Sequence, residues 1–292
     1  MRNLDYLEPE SLDEALRMLA DYGDEAAVFA GGTALLLAMR QRMLAPGIVV
    51  ALGGLSALRG IGYTPEAGLR IGALSRHSEI ARADIVREHY PVLAKVAAGL
   101  ANPQVRNQGT IGGNLCYGDP ATDPPSVLVA LDAELEIAGR SGTRRVAMAD
   151  FLVDYFTTAL EPGEILTAIH LPPVTPGRVG HYKRHLRTPA EHRPVANVAL
   201  TLTERGGLWD DVRLVIGAAT PVAQSMARAA AALTGQAITL DLAAEAARIA
   251  AEDLTPVSDA RGSAAFRRQV VRATVRRIVA EAAGLDWSEA AA

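Results

Sequence analysis

Two short stretches in this 292-residue chain combine residue types and spacing that could do chemistry. The first is "FAGGTALLLAMRQ", residues 29–41, where Gly31, Gly32 and Thr33 stand between an apolar run and the start of a helical pattern. The second is "TIGGN", where Gly112 and Gly113 are flanked by Thr110 and Asn114. A turn stripped of side-chain bulk can bring backbone N–H groups up to a phosphate, and a following helix start adds unpaired donors and partial positive charge. The plainer alternative is a strand-to-helix turn in which glycine relieves backbone sterics and threonine caps the helix. Neither stretch has the G-x-G-x-x-G spacing of a dinucleotide-binding Rossmann turn. Two such turns in one chain, each beside small hydroxyl or amide side chains, could line both sides of a pyrophosphate with backbone donors.

Other reactive residue types do not assemble into a recognisable apparatus. Cys116 is the only cysteine, so the chain can build neither an internal disulfide nor an all-cysteine metal or iron–sulfur site. It follows the second glycine pair closely enough to approach a ligand there, and equally reads as a small buried hydrophobe. His181 and His185 would share one strand face, but no third ligand sits nearby in sequence, and no metal is expected. His77 falls in the first turn of a helical segment and needs no more than a surface or capping role. No nucleophile triad, paired-carboxylate motif or metalloprotease signature is present, so no catalytic residues are assigned. Arg267, Arg268, Arg272, Arg276 and Arg277 mark one face of the last helical segment, a solvated face or a docking surface.

Composition bounds the rest. A formal net charge of -4, with 29 Lys plus Arg against 33 Asp plus Glu, lacks the basic excess of a nucleic-acid binder. The opening residues lack the apolar core of a signal peptide, and no apolar run reaches the roughly 18 residues that span a bilayer. A cytoplasmic location is the expectation.

The elements that must position the glycines follow from the patterning. Ser11 with Glu14 forms a capping box, and Leu12, Leu16 and Leu19 share one face before Gly23. "AAVF" reads as a strand, 34–42 as a helix and "IVVAL" as a second strand, a β-α-β unit whose first crossover carries the glycines. A hairpin pattern turns at Thr64–Gly68, helical segments follow at 76–83 and 91–100, then a Gly/Asn-rich stretch and a helix from Pro124. Strands are expected at "AELEIAG", "TRRVAMA" and "EILTAIHL", and the prolines at 172, 173 and 176 mark a boundary. Beyond it come three strand-like runs and three helical ones, an α+β arrangement.

Together, "AGGTALL" and "TIGGNL…GDPATDPPSVLVALDA" resemble the FAD-binding medium subunit of molybdenum hydroxylases, the carbon monoxide dehydrogenase and xanthine dehydrogenase group. The likeness runs through nearly the whole chain. It implies an α+β protein with a flavin fold of the vanillyl-alcohol-oxidase (PCMH) type, made of two α/β subdomains at 1–57 and 58–175, followed by a C-terminal α+β domain at 176–292 with a three-stranded sheet and helices. By the same resemblance Ala30, Gly31, Gly32, Thr33, Ala34 and Leu35 form a first diphosphate loop, and Thr110, Ile111, Gly112, Gly113 and Asn114 a second. Asp123 matches a position that holds the cofactor's sugar-alcohol portion, although it also reads as an N-cap before Pro124. Leu166 and Leu100 match apolar positions near the flavin, and both also read as core. Lys183 matches a lysine near the isoalloxazine and also reads as a solvated strand residue. Pro194 and Val195 stand where relatives place an acidic residue, which leaves the electron acceptor open. The implied role is an electron outlet: FAD receives electrons from [2Fe–2S] clusters of a small subunit and passes them to NAD⁺ or a quinone. Substrate oxidation belongs to a molybdopterin-binding large subunit, the three chains forming a dimer of heterotrimers. A self-sufficient flavin oxidase or reductase, and a non-enzymatic assembly subunit that has lost its cofactor, are the alternatives.

Overall fold

The computed structural model describes residues 4–287. Strand β1 (Asp5–Leu7), helix α1 (Leu12–Tyr22), β2 (Ala26–Phe29), α2 (Leu35–Arg40) and β3 (Ile48–Ala51) come first. Ser11 caps α1 by accepting from the Glu14 N–H, Glu14 returns a bond from the Glu10 N–H, and Gly23 ends the helix at φ 50°. β1 and β2 both pair parallel with β3, giving the order β1-β3-β2. The four residues of β3 are all buried, as expected for the central strand of a covered parallel sheet. Ala15, Leu16 and Leu19 of α1 pack with Ile48 and Val50 and with Leu52, Leu55, Leu58 and Leu74 in one core. Burying each such leucine contributes about 1.5–3 kcal/mol.

Next come β4 (Ile61–Thr64), β5 (Gly68–Gly72), α3 (His77–Arg82), α4 (Asp84–His89), α5 (Pro91–Gly99), α6 (Pro103–Gln108), α7 (Ile111–Tyr117), α8 (Pro124–Ala130), β6 (Glu134–Gly139), β7 (Gly142–Ala147), α9 (Met148–Phe151), β8 (Leu152–Asp154), β9 (Thr157–Thr158) and β10 (Ile165–Leu171). Five of these strands form an antiparallel sheet ordered β4-β5-β10-β6-β7. The Gly/Asn-rich stretch, given no element above, is two short helices. Asn102 caps α6 through the Val105 N–H with Pro103 in the first turn, and Thr110 caps α7 through the Gly113 N–H. Caps and packing outweigh the poor helix propensity of the glycines.

The last part contains β11 (Arg178–His185), β12 (Ala196–Arg205), β13 (Leu208–Gly217), β14 (Gln224–Ser225), α10 (Ala227–Leu233), α11 (Leu240–Asp253) and α12 (Ala264–Ala282). The sheet has four strands in sequence order rather than three, because the two-residue β14 adds to the edge of β13. Alanines of α11 and the valines of α12 pack on alternate residues of β12 and β13 in one buried cluster. By contacts the chain forms two compact units. One takes the chain up to Arg87 with Ala97–Asp119 and Ala133–Pro173; the other takes Glu88–Val96, Pro120–Asp132 and the chain from Val174 on. No helix among the described residues is long and apolar enough to cross a membrane.

Candidate functional site

The first glycine turn leaves β2 after Phe29 and enters α2 through the Leu36 N–H to Gly32 O bond of 3.0 Å. Each glycine there has its own steric reason. A Cβ on Gly31 would lie 2.3 Å from the Gln108 carbonyl oxygen and 2.9 Å from Gly109 Cα, so Gly31 lets two backbone segments touch. Gly32 has φ +70°, a left-handed conformation that disfavours any side chain, and its Cβ would strike the Phe29 ring at 2.5 Å. The capping expectation for Thr33 is corrected: Ala34 holds the N-cap position of α2 and no side chain caps it. Consequently the turn keeps its donors. Among the described residues, none accepts a hydrogen bond from the amides of Gly31, Gly32, Thr33 or Ala34.

The second motif is built the other way. The Ile111 N–H donates to Ser75 O at 3.0 Å, Gly112 N–H to Ala73 O at 2.9 Å, Gly113 N–H to the Thr110 hydroxyl at 3.1 Å, and Asn114 N–H to Thr110 O at 3.0 Å. All first-turn amides of α7 are therefore engaged inside the chain, and the expectation that both glycine pairs offer backbone donors needs correction. Gly112 is glycine because a Cβ would meet Ala73 Cβ at 2.6 Å, which lets α7 lie against the end of β5. Gly113 brings the helix to the first turn: its Cβ would be 3.7 Å from Ala30 Cβ. The two motifs thus share one junction. One supplies amides, and the other supplies a small-residue wall with the Thr110 and Asn114 side chains.

A cavity of about 290 Å³ opens at that junction, inside the first compact unit. It gathers Ala30, Gly31, Gly32, Thr33, Ala34 and Leu35 with Thr110, Gly112, Gly113, Asn114, Leu100 and Leu166. Its volume is at the lower end of the roughly 300–1,000 Å³ of small-molecule sites, suited to part of a dinucleotide. Ile111 is not in the lining; it is 1% exposed and belongs to the core. Leu166 is 4% exposed, beside the irregularity in the β10–β6 pairing between Leu166 and Ala168, so it serves core and lining together.

Two polar side chains in the lining escaped the sequence reading. Glu164 is held by Arg144 through two hydrogen bonds of 2.8 and 2.7 Å, and these together with the Glu161 N–H hold its carboxyl below the usual range. His77 lines the cavity and is 2% exposed, which corrects its expected surface or capping role. Burial lowers its pKa to about 4, so the ring is neutral at ordinary pH. The only available signal was its place just after the strand "GLRIG", where a helix start meets a sheet end. Cys116 also faces the cavity, with its thiol pushed up by burial to about 12, so it is no thiolate nucleophile.

Asp123 and Lys183 lie in the second unit and are absent from this lining. Asp123 holds the N-cap position of α8, yet its side chain does not cap. Instead its two oxygens accept from the Tyr182 hydroxyl and from Arg184. Burial pushes its pKa up against the opposing Arg184 charge and the two hydrogen bonds, and the same burial raises Tyr182. Lys183 pairs with Glu281 at 2.8 Å. The arginine face of α12 is not uniformly solvated: Arg267 is 1% exposed and donates to Val195 O, Ala218 O and Asp259, each at 2.6 Å. Among the described residues no group of three or more His, Cys, Asp or Glu is placed to hold a metal.

A β-α-β turn with open amides on a small-residue wall, followed by a separate four-stranded sheet covered by helices, defines a two-part nucleotide-cofactor protein. Comparison with known proteins makes this specific. Residues 2–174 match the FAD binding domain in molybdopterin dehydrogenase, and residues 180–282 match the CO dehydrogenase flavoprotein C-terminal domain. The chain is 31% identical to the 6-hydroxypseudooxynicotine dehydrogenase complex subunit alpha of Paenarthrobacter nicotinovorans, over 96% of this chain and 94% of the relative. It is 33% identical to the carbon monoxide dehydrogenase medium chain of Afipia carboxidovorans, over 96% of both. A solved carbon monoxide dehydrogenase from Hydrogenophaga pseudoflava, which lacks the Mo-pyranopterin moiety of its molybdenum cofactor, superposes with a TM-score of 0.91 at 31% identity, covering 95% of this chain and 96% of that one. The chain belongs to the family of FAD-binding medium subunits of molybdenum hydroxylases, oxidoreductase flavoproteins of the carbon monoxide and xanthine dehydrogenase type.

Proposed function

We propose that this chain binds the diphosphate of FAD at residues 31–34 and forms the electron outlet of a three-subunit molybdenum hydroxylase in the cytoplasm. The observation that carries the reading is the set of uncommitted amides at Gly31, Gly32, Thr33 and Ala34, facing a cavity walled by Gly112 and Gly113. Four donors on a turn too narrow for side chains fit an anionic diphosphate, because charge-assisted hydrogen bonds are stronger than neutral ones. The helix that follows is only six residues long, so the amides themselves, rather than a long helix dipole, supply most of the attraction.

When bound, FAD supplies the redox chemistry, accepting electrons singly or in pairs. The chain's own residues bind and orient. Ala30 to Leu35 hold the phosphates, Thr110 and Asn114 present polar side chains beside them, and Leu100 and Leu166 give apolar walls that exclude water. The assignment of Asp123 to the sugar portion and of Lys183 to the isoalloxazine rests on the family resemblance alone. So do the subdomain limits at 57 and 175, the [2Fe–2S] small subunit, the molybdopterin-binding large subunit and the dimer of heterotrimers. Electrons leaving the substrate at the large subunit would reach FAD through the small subunit and depart to NAD⁺ or a quinone.

The test is a titration of the flavin-free chain with FAD, followed by reduction. Binding with a flavin spectrum, and reduction only when the reduced small subunit is added, is the expected result. Failure to take up FAD overturns the cofactor assignment. Rapid reduction of the isolated holoprotein by a small organic substrate would instead establish a self-sufficient oxidase.

A further inference from the structure

His77 has a place in the cavity that none of the roles above explains. It sits in the first turn of α3, and its own amide is tied to Gly109 O at 3.1 Å, which fixes the backbone where α3 meets the segment before α7. A methyl placed on Gly109 would lie 3.3 Å from the Thr33 hydroxyl and 3.4 Å from His77 Cδ2. The ring therefore flanks the same small residue as the threonine of the open-amide turn. It is 2% exposed and lines the cavity, and neither ring nitrogen has a hydrogen-bond partner among the described residues. A buried imidazole carries one donor and one acceptor that are costly to leave unpaired. A group from outside the chain that pairs one of them resolves the arrangement. Because the ring is neutral, a hydrogen-bonded ligand oxygen is the fitting partner, rather than an ion pair.

We propose that His77 is a cofactor-binding residue whose imidazole N–H donates to the diphosphate-bearing part of FAD held at residues 31–34. This rests on the FAD reading above. It predicts a shared effect on every ligand that carries the diphosphate and none on riboflavin, which lacks it.

The experiment uses the flavin-free full chain and compares wild type with His77→Phe, which keeps a ring but no polar nitrogen, and His77→Asn, which keeps a donor. Calorimetry with FAD, ADP and riboflavin gives the affinities, and the ring-nitrogen chemical shifts of wild-type His77 are followed as ADP is added. A single hydrogen bond to the charged diphosphate corresponds to weakening of FAD and ADP by about tenfold to a hundredfold in His77→Phe, partly restored in His77→Asn, with riboflavin unaffected. The His77 ring-nitrogen resonances should move on ADP addition. Equal FAD and ADP affinities in wild type and His77→Phe, or ring resonances that ADP leaves unmoved, would overturn the proposal while leaving FAD binding intact. Wild type that binds neither FAD nor ADP would overturn the parent reading and this one with it. If His77→Phe does not fold, the Asn variant and the wild-type spectra still decide.

Discussion

Gly31→Ala separates the steric account of the site from a general intolerance of substitution. The added Cβ would sit 2.3 Å from Gln108 O and 2.9 Å from Gly109 Cα, both backbone atoms that cannot swing aside as a side chain can. Ordinary contact requires the two segments to part by roughly 1 Å. Forced overpacking of that kind costs typically about 1–3 kcal/mol. The same displacement moves the turn that carries the open amides. Losing one well-aligned bond to a charged phosphate, about 1.5–3 kcal/mol, weakens FAD binding by about tenfold to a hundredfold. Gly113→Ala is the control. Its Cβ meets the Thr110 hydroxyl at 2.9 Å, a contact whose relief costs at most the N-cap bond from the Gly113 N–H, about 1 kcal/mol, and Ala30 Cβ at 3.7 Å, an ordinary contact. A gain in helix propensity of about 1 kcal/mol offsets the first. Urea unfolding of the flavin-free chains and flavin titration provide both readouts. A Gly31→Ala variant with wild-type stability and wild-type FAD affinity would refute the reasoning, as would a Gly113→Ala variant that unfolds as readily as Gly31→Ala.

Two further outcomes follow from buried groups. Arg267→Leu strands the Val195 and Ala218 carbonyls, and each buried acceptor left unpaired costs about 1–3 kcal/mol, while the part-exposed Asp259 carboxylate adds little; an unchanged midpoint in urea would count against it, and Arg267→Lys should fail to rescue fully because one ammonium nitrogen does not span acceptors held by two guanidinium nitrogens. His77 titrates at about 4 when folded, below its usual value near 6.5, so the native state binds fewer protons than the unfolded chain across that window. Its contribution is fully present above about pH 6.5 and is lost as pH falls toward about 4; flavin-free His77→Asn should lose stability less steeply over the same range, and parallel urea midpoints at pH 7, 5.5 and 4.5 would contradict the burial of this ring.

The β-α-β unit around the first glycine pair was legible because its signals are local. A short strand, a bulk-free turn and an apolar helix adjoin in sequence, and β2, α2 and β3 stand where the pattern puts them. The hairpin of β4 and β5 and the three C-terminal helices were legible for the same reason. The character of the second motif was not. Whether the amides of Ile111 and Gly112 are open or engaged depends on the Ser75 and Ala73 carbonyls, more than thirty residues earlier in the chain. His77 and Glu164 were missed on the same ground: the sequence shows a histidine in a helical first turn and a glutamate at a strand start, and only the sheet and helix packing turns them toward the cavity. Arg267 illustrates the opposite error. Helical periodicity grouped it with exposed arginines, although Val195, Ala218 and Asp259 close over it. For Asp123, the sequence N-cap pattern gave the right backbone position and the wrong side-chain partners.

On the proposed function, the unengaged amides of the first glycine turn hold the diphosphate of FAD. A crystal structure of the yellow holoprotein tests it most directly. Phosphate oxygens should lie within hydrogen-bond distance of the amide nitrogens of Gly31 through Ala34, with the Ile111 and Gly112 amides still bonded to Ser75 and Ala73. Phosphates seated elsewhere on the chain, with those four amides facing only solvent, would contradict it.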